Sequence, residues 1–518
     1  MRRPALLALC LAVLAPALWS EARAQTRSPI GSDTRWTLAA VGDVIMNRRT
    51  APFDHPGDPG FHELANIIRA TDAAFLNLEQ SVFRLQEFTG WPAAENGGNY
   101  EVGSPETLKD LVDMGFNLFN RANNHTTDYG VEGMRLTNRL MDEWGLIHSG
   151  TGENLGWASR PGYLETTKGR IALIGMASTH TPMSRAGRTG PTVQGRPGLN
   201  PLRLSTRYEG SPETMAALRD VARRQGANVS DNEGAPVRVF GSTVFPGDQD
   251  RSVVSLNDVD RERVLHEVRN ATDQADYVVV NSHSHEPGNA FVTAPAWMEE
   301  FARQTIDAGA NTFIIHGPHQ LRGVEIYKGR PIFYSLANFI FQNETIDPMP
   351  SDQRDRYGIP LGRLASEIYD TRFQVDEDGN PTTGFPTGAE WYESVVPVAT
   401  FEGDEVVEIV FYPIELEWKA PRGRRGTPRI APEELGPKII EHLAELSRPY
   451  GTEIRLRERR RNLAAVASRG PWSRGGSRAA PLGFASKKRA RLAFLDEAEF
   501  LDLLFLTFRQ IVEQHTVA

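Results

Sequence analysis

Residues 314–341 have the sequence IIHGPHQLRGVEIYKGRPIFYSLANFIF, and this stretch decides how the rest of the chain is interpreted. Its apolar start forms, with residues 312 and 313, a predicted buried strand over residues 312–315. His316 and His319 follow on a turn that contains glycine and proline. A hairpin with Lys328 and Gly329 at its turn is predicted next. Many α/β enzymes hold a metal ion with imidazoles on a rigid turn just past a strand. The alternative is a surface loop with incidental histidines.

The composition is that of an ordinary globular protein. The 518 residues are 24% charged and 40% hydrophobic, which suits about three domains or one large domain with insertions. The net charge is −9 and the isoelectric point is near 5.8. This balance gives no indication of nucleic-acid binding, so we expect no nucleic acid among the partners.

The first 24 residues have the pattern of a secretory signal peptide. Arg2 and Arg3 form a positive start, residues 5–18 are apolar, and an A-x-A motif predicts cleavage after Ala24. We therefore expect a secreted or periplasmic protein. The single cysteine, Cys10, lies inside this leader, so the mature chain would have no thiol nucleophile, disulfide or cysteine metal ligand.

From residue 36 to about residue 345, predicted strands alternate with predicted helices, which indicates a layered α/β fold. The pattern loosens over residues 181–250, which are rich in Gly, Pro, Arg and Ser. We interpret this interval as an insertion over the site, either a lid or a substrate-binding element; a surface excursion is the alternative. The predicted strands include 36–41, 73–76, 116–119, 170–175, 276–280 and 312–315, and the predicted helices include 61–69, 105–114, 130–144, 258–271 and 297–308.

After residue 345 the chain is predicted to complete the core and then to become irregular. A hairpin with its turn at 402–404 and a helix over 431–447 are expected. Residues 455–491 are rich in Arg and Lys and are predicted to be flexible. Residues 492–512 form a predicted apolar helix that docks on the body or on a membrane surface. The predicted divisions are the leader (1–24), the core (25–345) with its insertion (181–250), the C-terminal part of the core (346–462), and a basic flexible segment with a terminal helix (463–518).

Eight polar side chains follow apolar runs at predicted strand ends. If these strands lie side by side in one sheet, all eight meet at one edge. Their types suit one or two ions such as Zn²⁺, Mn²⁺ or Fe, and a bridging carboxylate can hold two ions about 3.5–4 Å apart. For any single residue the alternative is a helix cap or an ordinary hydrogen-bonded group, but the shared placement favours a metal site. The eight are Asp43, Glu79, Asn124, His125, His283, His285, His316 and His319.

Six short motifs around these residues occur in a specific order. They are Gly42-Asp43, Asn77-Leu78-Glu79, Asn123-Asn124-His125 with Asp128-Tyr129-Gly130, His283, His316-x-Pro318-His319, and Tyr334-Ser335-Leu336-x-Asn338-Phe339-Ile340-Phe341. In these motifs, over about residues 36–345, the chain resembles the poly-γ-glutamate capsule-biosynthesis (CapA) family, which is similar to the calcineurin-like metallophosphoesterases. The resemblance implies an α/β, layered (αββα-type) metallophosphatase-like sandwich with insertions and a C-terminal helical extension.

The resemblance also implies one or two divalent metal ions, with Mn, Zn and Fe as candidates. His125 would lie beside them as general acid or transition-state stabiliser, oriented by a neighbouring carboxylate such as Asp128. The implied ligands are Asp43 and Glu79, with Glu79 where phosphoesterases have a bridging Asp, then Asn124 and His283 for the second ion, and His316 and His319 to complete the shell.

The chain departs from the family pattern at four places. Phosphoesterases have His two residues after the first Asp, where this chain has Ile45. The family commonly has His-Trp-Gly at residues 283–285 and Gly-His-His-Pro-His where residues 315–319 are IHGPH. Ala337 stands where Gly is usual. These departures bear on the first metal site and on the substrate, and His285 is a candidate substitute ligand.

The favoured hypothesis is an exported metal-dependent hydrolase. Its substrate would be an anionic envelope polymer, such as a γ-linked glutamate isopeptide, or a phosphoester. Arg185, Arg188 and Arg322 could bind an anionic substrate; ordinary solvated arginines are the alternative. The rival hypothesis is a non-catalytic envelope protein that helps assemble or export an anionic polymer beside polymer-synthesis proteins. Its metal site would be vestigial or structural, and its basic C-terminal segment would contact polymer or lipid head groups.

Overall fold

The computed structural model describes residues 35–93, 99–346, 349–372, 388–459 and 462–469. The predicted leader, the terminal helix and most of the basic segment lie outside these residues. The strands are β1 (Arg35–Ile45), β2 (Ala73–Leu78), β3 (Ser81–Val82), β4 (Val102–Gly103), β5 (Leu118–Asn120), β6 (Ile147–Ser149), β7 (Thr151–Gly152), β8 (Gly162–Thr166), β9 (Gly169–Ala177), β10 (Gly198–Leu199), β11 (Leu204–Gly210), β12 (Val237–Val239), β13 (Ser242–Pro246), β14 (Arg251–Leu256), β15 (Tyr277–His283), β16 (Thr312–His316), β17 (Val324–Tyr327), β18 (Arg330–Phe333), β19 (Asn338–Phe341), β20 (Glu393–Glu402), β21 (Glu405–Glu415), β22 (Arg429–Ile430), β23 (Thr452–Arg459) and β24 (Asn462–Arg469). The helices are α1 (Pro59–Arg69), α2 (Pro105–Asp113), α3 (Gly130–Glu143), α4 (Leu155–Ser159), α5 (Pro212–Arg224), α6 (Asp258–Thr272), α7 (Ala296–Asp307), α8 (Ser351–Arg356), α9 (Ser366–Arg372) and α10 (Gly436–Ser447).

Two large sheets form the centre of the fold. The first has ten strands in the order β23-β24-β21-β20-β1-β2-β5-β6, with β19 also beside β1 and β22 beside β21. The second has six strands in the order β17-β18-β16-β15-β9-β8. The strands that carry the predicted ligands are divided between the two sheets, so the expectation of a single sheet edge is wrong. Hydrophobic periodicity identifies a strand but does not say which sheet it joins.

Apolar side chains fill three layers around these sheets. Between the sheets, Trp36 stacks on Phe401 with ring centroids 4.6 Å apart, and the ring centroid of Tyr277 lies 4.3 Å from that of Trp36. Helices α1, α2 and α3 cover the outer face of the first sheet. Helices α6 and α7 cover the outer face of the second. The central strands are buried on both faces and are therefore almost wholly apolar. This order of layers confirms the predicted layered αββα class.

Residues 314–341 connect the two sheets. Strands β16 to β18 lie in the second sheet, with the predicted hairpin turn at Lys328 (φ 50°) and Gly329 (φ 79°), and β19 lies in the first. The crossing depends on a close contact, because a Cβ atom on Gly42 would lie 1.9 Å from the Ala337 carbonyl oxygen. That oxygen accepts a hydrogen bond from Asp43 N at 2.9 Å. Ala337 itself has a φ of 55°, which explains why glycine suits this position.

Two predicted boundaries are wrong. β1 does not end at Gly42-Asp43 but continues to Ile45, because its second half pairs in parallel with β19. The helix predicted over 431–447 begins only at Gly436, since the residues before it form β22 and a turn.

The basic segment was predicted to be flexible from residue 455, and this is wrong for residues 455–459 and 462–469. Strands β23 and β24 form an antiparallel hairpin that extends the first sheet beside β21. The composition is basic, but Ile454 and Leu456 alternate with charged residues, which is the pattern of a half-buried strand. Ile454 packs against the core between the sheets.

A small folded unit occupies residues 204–256, which include the second part of the interval 181–250. Strands β11 to β14 form a four-stranded sheet, and α5 packs on it. Met215, Ala222, Val237 and Val239 form the buried apolar cluster of this unit. Within the part of the chain that the structure describes, no helix is both long enough and apolar enough to cross a membrane.

Candidate metal centre

Six side chains with metal-binding groups converge at the carboxyl ends of strands from both sheets. They form two groups, and within each group the ligand atoms lie within 4.8 Å of one another. We name them the inner group and the outer group. The inner group is Asp43, His283 and His316, and the outer group is Glu79, His285 and His319.

The inner group is centred on the buried carboxylate of Asp43. Its Oδ1 lies 3.6 Å from His283 Nδ1 and 3.5 Å from His316 Nδ1. The protein also donates two hydrogen bonds to it, from Asn77 Nδ2 to Oδ1 at 2.8 Å and from Gly317 N to Oδ2 at 2.9 Å. Protein donors therefore stabilise the charged form of the Asp43 carboxylate.

Asparagine side chains determine which imidazole nitrogens of the inner group are acceptors. Asn281 donates through Nδ2 to the Ile174 carbonyl, so its Oδ1 can accept from His316 Nε2 at 3.3 Å. Asn77 Nδ2 points at His283 Nδ1 at 3.2 Å. The two Nδ1 atoms are then both acceptors, yet they face each other at 3.1 Å. Two facing lone pairs beside a carboxylate are favourable only when a proton or a cation neutralises them, so this group fits a metal ion.

The outer group contains a buried carboxylate that the protein leaves without donors. Glu79 is fully buried, and neither of its oxygens accepts a hydrogen bond from any described residue. The nearest basic nitrogen is His283 Nε2, 3.5 Å from Oε1. Burial, and then the negative charge of Asp43, raise the pKa of Glu79 well above its usual value. A buried carboxylate without donors is costly unless a cation compensates it, so the outer group also fits a metal ion.

Both histidines of the outer group are oriented through Nδ1. Asn338 donates through Nδ2 to the carbonyls of His319 and Trp391, which leaves its Oδ1 to accept from His319 Nδ1 at 2.8 Å. The His319 ring also stacks on Trp391 with ring centroids 5.2 Å apart. His285 Nδ1 lies 2.7 Å from Asn289 Oδ1. In both rings Nε2 is left as the acceptor, which is how a neighbouring side chain prepares a histidine ligand.

The titration behaviour of these groups suits metal binding. Burial lowers the pKa of His316 to about 3 and that of His319 to about 4, and it lowers the pKa of His285 well below its usual value. Burial alone would raise the pKa of Asp43, but the adjacent imidazoles of His283, His319 and His316 lower it overall. At neutral pH His285, His316 and His319 are neutral and Asp43 is ionised, which are the forms that bind metal.

His125 lies beside these groups and is paired with Asp128. Its Nδ1 is 2.7 Å from Asp128 Oδ2, which also accepts a hydrogen bond from Glu101 N at 2.7 Å. Burial lowers the pKa of His125, but the Asp128 carboxylate raises it more, so the net shift is upward. Burial also raises the pKa of Glu101 to about 7. Sequence reasoning missed Glu101, because it follows no apolar run and belongs to no quoted motif.

Asn124 lies in the loop that follows β5. Its Oδ1 is buried and accepts no hydrogen bond from a described residue. Its neighbour Asn123 donates to Asn77 Oδ1 at 3.2 Å and to the Leu78 carbonyl at 2.9 Å, which holds this loop at the end of β2. Asn77 and Asn281 were not predicted to have a role; the available signal was that each lies in an apolar stretch whose end carries a predicted ligand.

The arginines that were expected to bind an anionic substrate lie in two different places. Arg322 is not available for a substrate, because its buried guanidinium donates to the carbonyls of Glu286 at 2.9 Å, Gly288 at 3.3 Å and Phe291 at 2.9 Å. Such backbone partners cannot be recognised in a sequence. Arg185 and Arg188 line a separate cavity.

The layers are helix, sheet, sheet and helix, and carboxylates and imidazoles cluster at the strand ends. These two features place the chain among α/β proteins with a candidate metal site. Within that class, residues 37–343 match the family model for "Bacterial capsule synthesis protein PGA_cap". The match covers more than half of the chain, and the chain belongs to this family. The family resemblance inferred from the motifs is therefore confirmed, and the family is consistent with a metallophosphatase-like fold.

Several proteins are similar to this chain. The uncharacterized protein y4sH of Sinorhizobium fredii (strain NBRC 101917 / NGR234) is 40% identical over 82% of this chain and 92% of its own length. The capsule biosynthesis protein CapA of Bacillus anthracis is 25% identical over 65% of this chain and 67% of its own length. The PGA biosynthesis protein CapA of Bacillus subtilis (strain 168) is 26% identical over 60% of this chain and 64% of its own length.

Among solved structures, the NAD nucleotidase NadN of Haemophilus influenzae aligns with 79% of this chain and 62% of its own, with 8% sequence identity and a TM-score of 0.29. That similarity is too weak to add to the architecture described above.

Proposed function

We propose that this protein is a metal-dependent hydrolase that acts in the cell envelope on an anionic polymer or a phosphoester. The observation that carries the proposal is the Glu79 carboxylate, which is fully buried, lacks hydrogen-bond donors among the described residues, and lies beside five other ligand-type side chains. Such a carboxylate is either protonated or compensated by a cation, and its five ligand-type neighbours favour a cation. A purely structural core would have no reason to keep it.

The inner and outer groups would hold one or two divalent ions, with Mn, Zn and Fe as candidates, and Asn124 would add an amide oxygen. When bound, the metal supplies positive charge that polarises the scissile group and activates water. The protein's own contribution is orientation: Asn281 fixes His316, and Asn338 fixes His319. The ligands are therefore positioned before any ion arrives.

His125 would act as the general acid. Asp128 accepts the Nδ1 proton of the ring, so the reactive proton is held on Nε2. Because Asp128 raises the pKa of His125, the imidazolium form persists to higher pH than in a free histidine. Donation of the Nε2 proton to the departing oxygen or nitrogen would complete bond cleavage, and Asp128 would keep the ring in place throughout.

The substrate class is inferred from the relatives. Two of them are named for capsule or PGA biosynthesis. By analogy, we infer an anionic envelope polymer such as a γ-linked glutamate chain as the substrate, cleaved at an isopeptide bond, with a phosphoester as the other chemical possibility. This also makes polymer-synthesis proteins the expected partners and an exported chain the expected form.

One observation favours a second function, that of a non-catalytic factor for polymer assembly or export. Ile45 is buried in the apolar cluster beneath α1 and supplies no ligand where metallophosphoesterases have histidine. A site with fewer ligands could hold a structural ion only. The two functions differ in one measurable respect, which is turnover by the metal-loaded protein.

The experiment compares the full chain with His125→Ala and with His266→Ala, a control on the exposed face of α6. Bound metal is measured by elemental analysis, and turnover is measured on a chromogenic phosphodiester and on a γ-glutamyl amide. We expect His125→Ala to lower turnover by about 10²–10⁴-fold with unchanged metal content. Absence of metal, or equal turnover in both variants, would contradict the hydrolase proposal. Metal binding without turnover would favour the assembly factor.

A further inference from the structure

A cavity of about 410 Å³ lies outside the metal centre and is unusually rich in arginine. It is formed where the start of the 181–250 interval meets the residues just before β11. We name it the arginine pocket. Its charged lining residues are Arg185, Arg188, Arg196, Arg203 and Asp260.

The positive charge of the arginine pocket is not compensated. Asp260 forms ion pairs with Arg203 at 2.7 Å and with Arg263, beneath the pocket, at 3.3 Å. Among the described residues, the remaining three lining arginines form no ion pair with a carboxylate. Burial and the positive charge of Arg203 both lower the pKa of Arg185, as expected where like charges accumulate. The lining therefore carries an excess of positive charge.

Two arginines of the pocket and the backbone around them are held in place by hydrogen bonds. Arg185 Nε donates to His180 Nδ1 at 3.2 Å, and Arg196 Nε donates to the Arg185 carbonyl at 2.8 Å. The backbone around them is paired, with Ala186 N donating to the Leu199 carbonyl and Gly187 N to the Arg196 carbonyl, both at 2.9 Å. Side chains held in this way lose little conformational entropy when a ligand binds.

The pocket lies close to the metal centre along the chain. β9 ends at Ala177, which pairs in register with the inner-group ligand His283. Two residues later, Thr179 Oγ1 accepts a hydrogen bond from His285 N at 2.8 Å. Pro182 already lines the pocket, and five residues can span at most about 18 Å. A chain-like ligand could therefore contact the pocket and the metal centre together.

We propose that the arginine pocket is an anion-binding site, separate from the metal centre, that holds carboxylate or phosphate groups of an anionic chain. Arg185 and Arg188 supply the guanidinium donors that suit such oxyanions. The site goes beyond the proposed hydrolysis, because it would bind the chain whether or not the metal centre cleaves it. It gives residues 182–203, which precede the folded unit of the insertion, a function in retention of a polymer.

The test measures binding of a γ-linked glutamate oligomer and of a polyphosphate, by calorimetric titration at low and high salt. The full chain carrying Arg185→Gln and Arg188→Gln is compared with a matched charge control, Arg223→Gln with Arg224→Gln, on the exposed face of α5. We expect the pocket variant to bind at least about tenfold more weakly and with a shallower salt dependence. The control should bind as the unmodified chain does.

The two probes identify the source of the anion: tighter binding of the glutamate oligomer assigns a carboxylate chain, and tighter binding of the polyphosphate assigns a phosphate chain. Equal affinity of the pocket and control variants for both probes, or no binding by the unmodified chain, would overturn the proposal. Arg188→Gln alone, at an exposed position, guards against misfolding. Repeating the titration with Asp43→Ala separates this site from the proposed hydrolysis, because binding should survive when metal is lost.

Discussion

The inner and outer groups contain the same kinds of ligand but differ in what the protein provides for their carboxylates. Asp43 accepts two hydrogen bonds, from Asn77 and Gly317, and its pKa is lowered overall. Glu79 accepts none from the described residues, and its pKa is raised. The charged form of the inner carboxylate is thus stabilised by the fold itself, whereas the charged form of the outer one is not. Equal burial therefore does not mean equal stabilisation of charge.

The difference follows from position on the sheets. Asp43 lies within β1, where backbone and side-chain donors of the neighbouring strands and of the turn after β16 surround it. Glu79 lies just beyond β2, where regular pairing has ended. Substitutions of the carboxylates and of the orienting asparagines test whether these two environments behave as different metal sites.

The largest effect is expected from Asp43→Ala. Asp43 Oδ1 is close to both inner histidines, and its Oδ2 lies 3.4 Å from His319 of the outer group. We expect metal affinity at both groups to fall by more than about 100-fold, since loss of an outer-shell partner alone costs about 10–100-fold. Elemental analysis and metal titration measure this. Asp307→Ala, at the surface, is the control. Retention of one tightly bound ion would show that the groups do not share Asp43.

A smaller and selective effect is expected from the two orienting asparagines. Asn338→Leu should weaken metal binding at the outer group by about 10–100-fold, because His319 would lose the acceptor that fixes its ring. Asn281→Leu should do the same at the inner group through His316. Two-site metal titrations distinguish them, and Asn338→Asp, which keeps an acceptor, should restore most of the affinity. If both leucine variants weakened the same site, the division into two groups would be wrong.

The smallest effect concerns stability without metal. The pKa of Glu79 is raised above 4.5 in the folded state, so its ionisation makes the free energy of unfolding fall as the pH rises above that value. Glu79→Gln should therefore stabilise the metal-free protein at pH 7 by about 1–3 kcal/mol, and this gain should shrink towards pH 4.5.

Asp43→Asn should instead lower the free energy of unfolding of the metal-free protein. The lowered pKa of Asp43 means that its charge stabilises the fold above pH 3.8. Urea unfolding in the presence of a chelator, at pH 5 and pH 7.5, measures both variants. Destabilisation by Glu79→Gln at both pH values would mean that Glu79 has hydrogen-bond donors in solution.

Much of this arrangement could be predicted from the sequence. Asp43, Glu79, His283 and His316 each follow or end an apolar run, and the structure brings them together as expected. The division of their strands between two sheets could not be predicted, because burial on both faces gives every central strand the same apolar pattern. Arg322 was misjudged since its partners are backbone carbonyls, which any sequence could supply.

The contact between Gly317 and Asp43 has a consequence for how the protein folds. It joins positions 274 residues apart in the chain, across two sheets. Contacts of such long range form late, since the entropy of closing the intervening loop must be overcome first. The pairing of β1 is therefore complete only when β19 and β20 are in place. A metal ion held by the inner group would therefore need both sheets in place, because its ligand-type side chains come from strands of both.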